Sequence, residues 1–340
     1  MQAARLYGIG DIRIETVQAP AAPGPDQVRI RVMAAGICGS DLHNFRTGQW
    51  ITRTPVTPGH EFSGEVMAVG PGVTGFRPGD RVVADSRVGC GQCPSCRQGQ
   101  SNLCIRLAFV GEVCDGGFAQ EVVLPARQLH RISSDMPFWL AALAEPLSVA
   151  VHAVNRLAPD PGMPVVVCGG GTIGGLAALV LSERHDGTVY LVERDPKRMR
   201  LLQETCGVSP LALDAVGTAV NGQAPRFMLD TTGSVSVAGH LLDCAAPGTR
   251  LVLAGLTATK LNLDLNLIVE RELEVRGVSA FADEMPQAIA LLPALRERLK
   301  AFVSMIQGVG QIPDVYGELL AQQRAGLKTL IFPHSIAEEA

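Results

Sequence analysis

The chain has 340 residues and a formal net charge of −4, and this length predicts two domains. It is 47% hydrophobic and 4% aromatic, with 37 Gly and 22 Pro. That suits a turn-rich globular protein and excludes a disordered chain. No basic block is present, so nucleic acid is not an expected partner.

The opening residues, Met1-Gln2-Ala3-Ala4-Arg5, lead into a strand-like stretch and carry no apolar signal core. From Arg5 to about Val88, short β-like runs alternate with Gly and Pro turns. Val28-Arg29-Ile30-Arg31-Val32 alternates with period two, and Pro78-Gly79-Asp80 turns into Arg81-Val82-Val83. Strands this short, with turns this frequent, predict a small barrel-like β domain.

Two stretches in this region carry chemistry: Cys38-Gly39-Ser40-Asp41-Leu42-His43 and Gly59-His60-Glu61. Cys38 alone reads as a small buried hydrophobe, and His60 alone as a hydrogen-bonded core histidine. Together, and with carboxylates close by, they can hold a zinc ion and leave a position open. Asp41 is a candidate acceptor for the second nitrogen of His60.

Nine cysteines are present, and four of them fall within fifteen residues as Cys90-x2-Cys93-x2-Cys96-x7-Cys104. Four thiolates at this spacing can close a tetrahedral shell around a structural zinc. An iron–sulfur cluster or disulfides are the alternatives. Thiols kept for metal point to a reducing cytoplasm.

Leu140 to Leu157 is largely apolar and reads as a helix. Glu145 lies inside the run Ala142-Leu143-Ala144-Glu145-Pro146-Leu147, and a buried carboxylate is costly unless paired or metal-bound. Pro159-Asp160-Pro161-Gly162 closes the helix and marks a domain boundary.

Strands then alternate with helices. The strands are Val165-Val167, Val189-Val192, Phe227-Leu229, Arg250-Leu253 and Leu273-Val275, with a weak sixth at Pro210-Leu213. The helices are Thr172-Arg184, Pro196-Thr205 and Ser234-Cys244. This rhythm predicts a doubly wound parallel sheet.

Gly169-Gly170-Gly171-Thr172-Ile173-Gly174 follows the first of these strands and opens a helix. Glu193 ends the next strand, 24 residues after Gly169. That context is what a dinucleotide fingerprint requires. Gly169 allows the tight turn, Gly171 lets a pyrophosphate approach the helix N-terminus, and Gly174 lets helix and strand pack closely. Glu193 would accept hydrogen bonds from ribose hydroxyls and favours NAD; Arg194 beside it leaves NADP possible. Thr231, in Asp230-Thr231-Thr232-Gly233, follows a strand on the side where cofactors sit; an ordinary helix cap is the alternative.

Val165 to Leu181 has seventeen residues without a charge, but five of them are Gly. A buried strand turning into a buried helix accounts for it, and no membrane partner is expected. Asp283 to Leu299 reads as a helix leaving this domain. Lys328-Thr329-Leu330-Ile331-Phe332 reads as a final strand returning to the first domain.

The motifs Cys38-Gly39-Ser40-Asp41-x-His43, Gly59-His60-Glu61-x-x-Gly64, Glu145-Pro146-Leu147-Ser148-Val149, the four-cysteine lobe and the fingerprint together resemble the zinc-dependent medium-chain alcohol dehydrogenases. The polyol (sorbitol and idonate) branch fits best. The resemblance covers nearly the whole chain. It implies an α/β protein with a GroES-like β-barrel catalytic domain (1–156 and 295–340, the zinc lobe at about 88–106) and a Rossmann domain (157–294).

The resemblance also implies two zinc ions per chain. Cys38 and His60 would bind the catalytic zinc, Glu61 would be the third ligand of the polyol branch, and Glu145 would bind directly or through water. Ser40 would take the alcohol proton toward the nicotinamide ribose and His43 would pass it to solvent. Thr172 stands where many relatives carry proline, which leaves cofactor binding intact.

The expected activity is reversible NAD-linked oxidation of a secondary alcohol on a polyol, sugar acid or related compound. Arg46, Arg53 and Arg106 are candidates for an acidic substrate, with solvated surface charge as the alternative. An amino-alcohol dehydrogenase of the threonine type and a non-catalytic zinc- and nucleotide-binding protein are the rivals. A homotetramer or homodimer is implied by the family.

Overall fold

The computed structural model describes residues 1–220, 222–257 and 259–334. The chain divides into two compact units, Met1–Glu145 with Met285–Ala340, and Pro146–Glu284. The sequence expectation set these divisions at 156/157 and 294/295; its residues 335–340 lie outside the described residues.

In the first unit, an extended sheet is built on the strand Gln27–Ile37. It pairs antiparallel with Glu61–Val69, Glu121–Pro125 and Lys328–Phe332. Arg81–Ala84 and Leu129–Arg131 extend the sheet on one side and Val303–Gln307 on the other. The alternation in Val28, Ile30 and Val32 is a real inward face: all three are fully buried. They pack with Phe62, Val66, Phe118, Leu124, Tyr316 and Ile331 in one core. The final strand thus joins the oldest part of the sheet, with Leu330 opposite Gly36.

Within the stretch from Arg5 to Val88, expected to be all β, one element departs. Gly39–Thr47 is an α-helix. Asp41 Oδ2 accepts the Cys38 backbone N–H at 2.8 Å, and Gly48 ends the helix in the left-handed region at φ 66°. Capping, not apolar periodicity, makes this helix. Its N-terminal cap is Cys38 itself.

The second unit holds a six-stranded parallel sheet in the order Ser209–Pro210, Val189–Val192, Val165–Cys168, Phe227–Asp230, Arg250–Leu253, Glu274–Gly277. In chain order this is 3-2-1-4-5-6, the doubly wound arrangement. Strand order reverses between Val165–Cys168 and Phe227–Asp230. Both strands are buried along their length, which is why they read as unbroken apolar runs. The weak strand expected at Pro210–Leu213 is only Ser209–Pro210.

His152 and Glu284, both in this unit, form a buried pair at 2.7 Å. Among the described residues one helical stretch, Phe138–Leu157, is long and apolar enough to cross a membrane, and 83% of its apolar 18-residue window is buried.

Candidate active site

Sheet register creates the first constellation. Gly36 lies opposite Glu61, so Cys38 and His60 leave the same end of two paired strands. Gly36 has no room for a side chain: a Cβ there would come within 2.2 Å of Glu61 Oε2. Gly59, at φ +93°, turns the chain into His60 beneath the Phe118 ring. One ligand atom each from Cys38, His60 and Glu61 lie within 4.8 Å of one another. His60 is 6% exposed and Glu61 1%.

His60 is oriented from both sides. Its Nδ1 is 3.5 Å from Asp41 Oδ1, and its Nε2 is 3.4 Å from Ser40 Oγ. Burial pushes the imidazole pKa down, but the charges of Asp41 and Cys38 outweigh burial and hold it well above its ordinary value. A thiolate, an imidazole and a carboxylate this close form a donor set suited to zinc, and a metal cation there competes with the proton on His60.

Lys328 is the partner that sequence reading missed. Its Nζ donates to both Glu61 oxygens at 2.7 Å and to the Ile37 carbonyl at 3.0 Å. Both side chains are almost fully buried. The available signal was a lysine set between Leu327 and the apolar Leu330-Ile331-Phe332. A charge in such a strand needs a partner, although the strand does not say which. The Glu61 carboxylate keeps acceptor capacity beyond these two bonds, so the pairing is compatible with metal ligation.

Glu145 stands apart from the three-residue cluster. Its Oε1 accepts from Ser86 Oγ at 2.6 Å, and both residues are buried. Burial pushes its carboxyl pKa up to about 7; the charges of His60 and Lys328 oppose this and that of Glu61 adds to it. Ser86 was not anticipated either.

The rest of the helix and its following loop form a polar platform. His43 Nε2 meets Gln49 Oε1 at 2.7 Å, and its ring packs on Trp50 at 4.6 Å. Asn44 accepts from the Trp50 N–H and donates to Glu112 Oε1 at 3.1 Å. Burial raises the Glu112 carboxyl pKa to about 7. The three arginines considered for an acidic substrate do not converge. Arg53 pairs with Asp115, which also binds Arg5. Arg46 is exposed on the helix, and Arg106 is exposed beside the four-cysteine lobe.

In that lobe, Cys90, Cys93, Cys96 and Cys104 bring their sulfurs within 4.8 Å of one another. All nine cysteines are free of disulfides. Backbone N–H groups of Cys90 and Arg106 point at Cys104 Sγ, and that of Cys93 at Cys90 Sγ, each at 3.3 Å. Backbone N–H bonds pull the Cys90 pKa down to about 6. Four sulfurs so arranged fit a closed tetrahedral metal site with no position left for chemistry.

In the second unit, the fingerprint is a tight turn from Val165–Cys168 into the helix Thr172–Arg184. Gly169 sits at φ +96°, and a Cβ at Gly174 would fall 1.8 Å from the Gly169 carbonyl. A Cβ at Gly171 would meet nothing within 4 Å, so the backbone before the helix is open to a phosphate group. Glu193 ends its strand and accepts from the N–H of Gly170 at 2.6 Å and of Asp195 at 2.8 Å. Arg194 is exposed, and Ile173 lies in the first helical turn. Thr231 Oγ1 donates to the Cys168 and Gly169 carbonyls. It ties the two central strands together at the switch point and does not cap the following helix.

Residues 24–134 match the alcohol dehydrogenase GroES-like domain. The chain is 30% identical to sorbitol dehydrogenase of Bacillus subtilis strain 168, with 98% of each chain covered. It is 32% identical to L-threonine 3-dehydrogenase of Pyrococcus furiosus over 76% of each. Among solved structures, an alcohol dehydrogenase of Escherichia coli CFT073 complexed with NADH superposes with a TM-score of 0.89. The two are 27% identical, with 98% of this chain and 99% of that one covered.

Proposed function

The chain belongs to the zinc-dependent medium-chain alcohol dehydrogenase family, in its polyol dehydrogenase branch, and from that premise we propose that it oxidises a secondary alcohol on a neutral polyol reversibly, with NAD as acceptor. The observation that carries this reading is the buried Cys38–His60–Glu61 cluster, separate from a four-cysteine lobe that accounts for a structural metal. Cys38, His60 and Glu61 would hold the catalytic zinc, with Glu145 in reserve on Ser86. When bound, zinc supplies a Lewis acid that favours the deprotonated alcohol, and NAD supplies the hydride acceptor.

The chain's own residues do the rest. Asp41 fixes the His60 ring by its Nδ1, leaving Nε2 toward Ser40. Ser40 takes the substrate proton, and His43, joined to the exposed Gln49, hands it to solvent. Lys328 gives Glu61 two hydrogen bonds and a counter-charge in a buried place. In the second unit, Gly169 to Gly174 and Thr231 would hold the dinucleotide. Glu193 would accept from the ribose hydroxyls, and its charge would disfavour a 2′-phosphate.

The scattered placement of Arg46, Arg53 and Arg106 supports a neutral polyol over a sugar acid. The threonine dehydrogenase relative keeps an amino alcohol as the second reading, and Glu112 beside the His43 helix offers a carboxylate for an ammonium group. A homo-oligomer is proposed from family membership alone, and a cytoplasmic place from the thiols kept for metal.

The test is an NAD-reduction screen over neutral polyols, aldonates and amino alcohols, repeated with NADP, alongside metal analysis. Turnover confined to neutral polyols with two zinc ions per chain is expected. One zinc per chain, or turnover confined to aldonates, would overturn the reading.

A further inference from the structure

Tyr316 lies in the helix Ile312–Leu320 and is 1% exposed. Its phenolic oxygen is fully buried and has no hydrogen-bond partner among the described residues. Native proteins rarely keep such a group, and packing alone would be served equally well by phenylalanine. The hydroxyl is therefore the part of this residue that the core does not explain.

Two edge-on aromatic contacts fix where the ring sits. Phe45 lies at 5.3 Å and 90°, and Phe118 at 6.5 Å and 78°. Phe45 follows Asp41 by four residues on the Gly39–Thr47 helix, so the two share a helix face. Phe118 covers Gly59, the residue before His60; a Cβ on Gly59 would fall 2.5 Å from that ring. Tyr316 is thus bracketed by the two segments that carry Asp41 and His60. Burial, and then the charges of Asp41 and Cys38, all raise its pKa well above the ordinary phenol value, so the hydroxyl keeps its proton and can act as a donor.

We propose that Tyr316 is a positioning residue of the Cys38–His60 centre: its phenolic O–H donates, directly or through one water, to the negative charge that Cys38 and Asp41 carry when the centre holds metal. This rests on the reading that Cys38 and His60 bind zinc. A thiol is a weak acceptor, whereas a metal-bound thiolate is a strong one. Metal loading gives the buried hydroxyl its partner, and that bond in turn favours the loaded state.

The test is Tyr316→Phe in the full chain, which removes one oxygen and keeps the ring contacts. Zinc release to a chelator is followed for both centres, with the four-cysteine lobe as internal control. Release from the Cys38 centre should become roughly tenfold easier, the scale found for groups that support metal ligands, while the lobe is unchanged. In cobalt-substituted protein, the thiolate-to-metal charge-transfer band should move to lower energy. Weakened retention with an unmoved band assigns the donor to Asp41 and still supports the proposal. Unchanged retention with an equal or higher Tm overturns it, as does equal loosening of both centres. A wild-type chain holding metal only in the lobe overturns both this inference and the reading beneath it, and is seen before any variant is made.

Discussion

The two cysteine-bearing centres are built in opposite ways. The four-cysteine lobe takes its donors from Cys90 to Cys104 and steadies their sulfurs with backbone N–H groups of the same loop. The Cys38 centre draws on the start of one helix, the start of a strand and, through Lys328, a residue 267 positions from Glu61. Beside the local capping bonds of Cys38 and Asp41, its charges are balanced by side chains from distant elements. A centre made locally is closed and self-sufficient. A centre made from distant elements can be adjusted by each of them, which suits a site whose ligands act during a reaction.

The sharpest contrast comes from removing one sulfur in each. Cys38→Ser should abolish turnover, leave NAD binding in place and reduce the metal content to one zinc ion. Cys93→Ser should also remove one ion, but the loss should be of lobe order and not of the chemical step. Persisting turnover in Cys38→Ser would show that the two centres had been assigned the wrong way round.

The next largest effect is on stability. Lys328→Met leaves Glu61 as an uncompensated buried charge, and about 3–5 kcal/mol should be lost in denaturant unfolding of the metal-free protein. Lys328→Arg should recover part of it. A loss below about 1 kcal/mol, the scale of an exposed pair, would mean that the contact is ornamental. Ser86→Ala should cost less, about 1–3 kcal/mol, by leaving Glu145 without its donor. No comparable side-chain dependence is expected for the lobe.

The smallest effect concerns pH. The Glu112 carboxyl is raised to about 7 by burial, so between about 4.5 and 7 the folded chain binds a proton that the unfolded chain has released. Stability from this group is complete below about 4.5 and is lost as pH rises through 7. Glu112→Gln should flatten that fall by about 1–2 kcal/mol, discounted for partial exposure. An unchanged slope would place the carboxylate in water.

The second unit was the more legible in sequence. Thr172–Arg184, Val189–Val192 and Arg250–Leu253 were readable to the residue, because buried strands and fingerprint glycines leave strong local signals. Gly39–Thr47 was missed because its residues have no apolar stripe; Asp41 at the third helical position and Gly48 after the end were the signals available. The four lobe cysteines announced themselves by spacing. Lys328, Ser86 and Glu112 did not, since a sequence displays a charge or a hydroxyl but not the distant group that satisfies it. Arg53 shows the same limit from the other side, for its apparent freedom ended at Asp115.

The bond between Lys328 and Glu61 also sets an order of events on the ribosome. The 267 positions between them take roughly 13–53 s to synthesise at 5–20 residues per second. Over that interval Glu61 has emerged without its cation, while the whole parallel-sheet unit, continuous from Pro146 to Glu284, is completed first. The Cys38 centre is therefore finished only after that unit, by a strand synthesised later. A nascent chain arrested before residue 328 would carry a finished nucleotide fold and an unfinished metal centre.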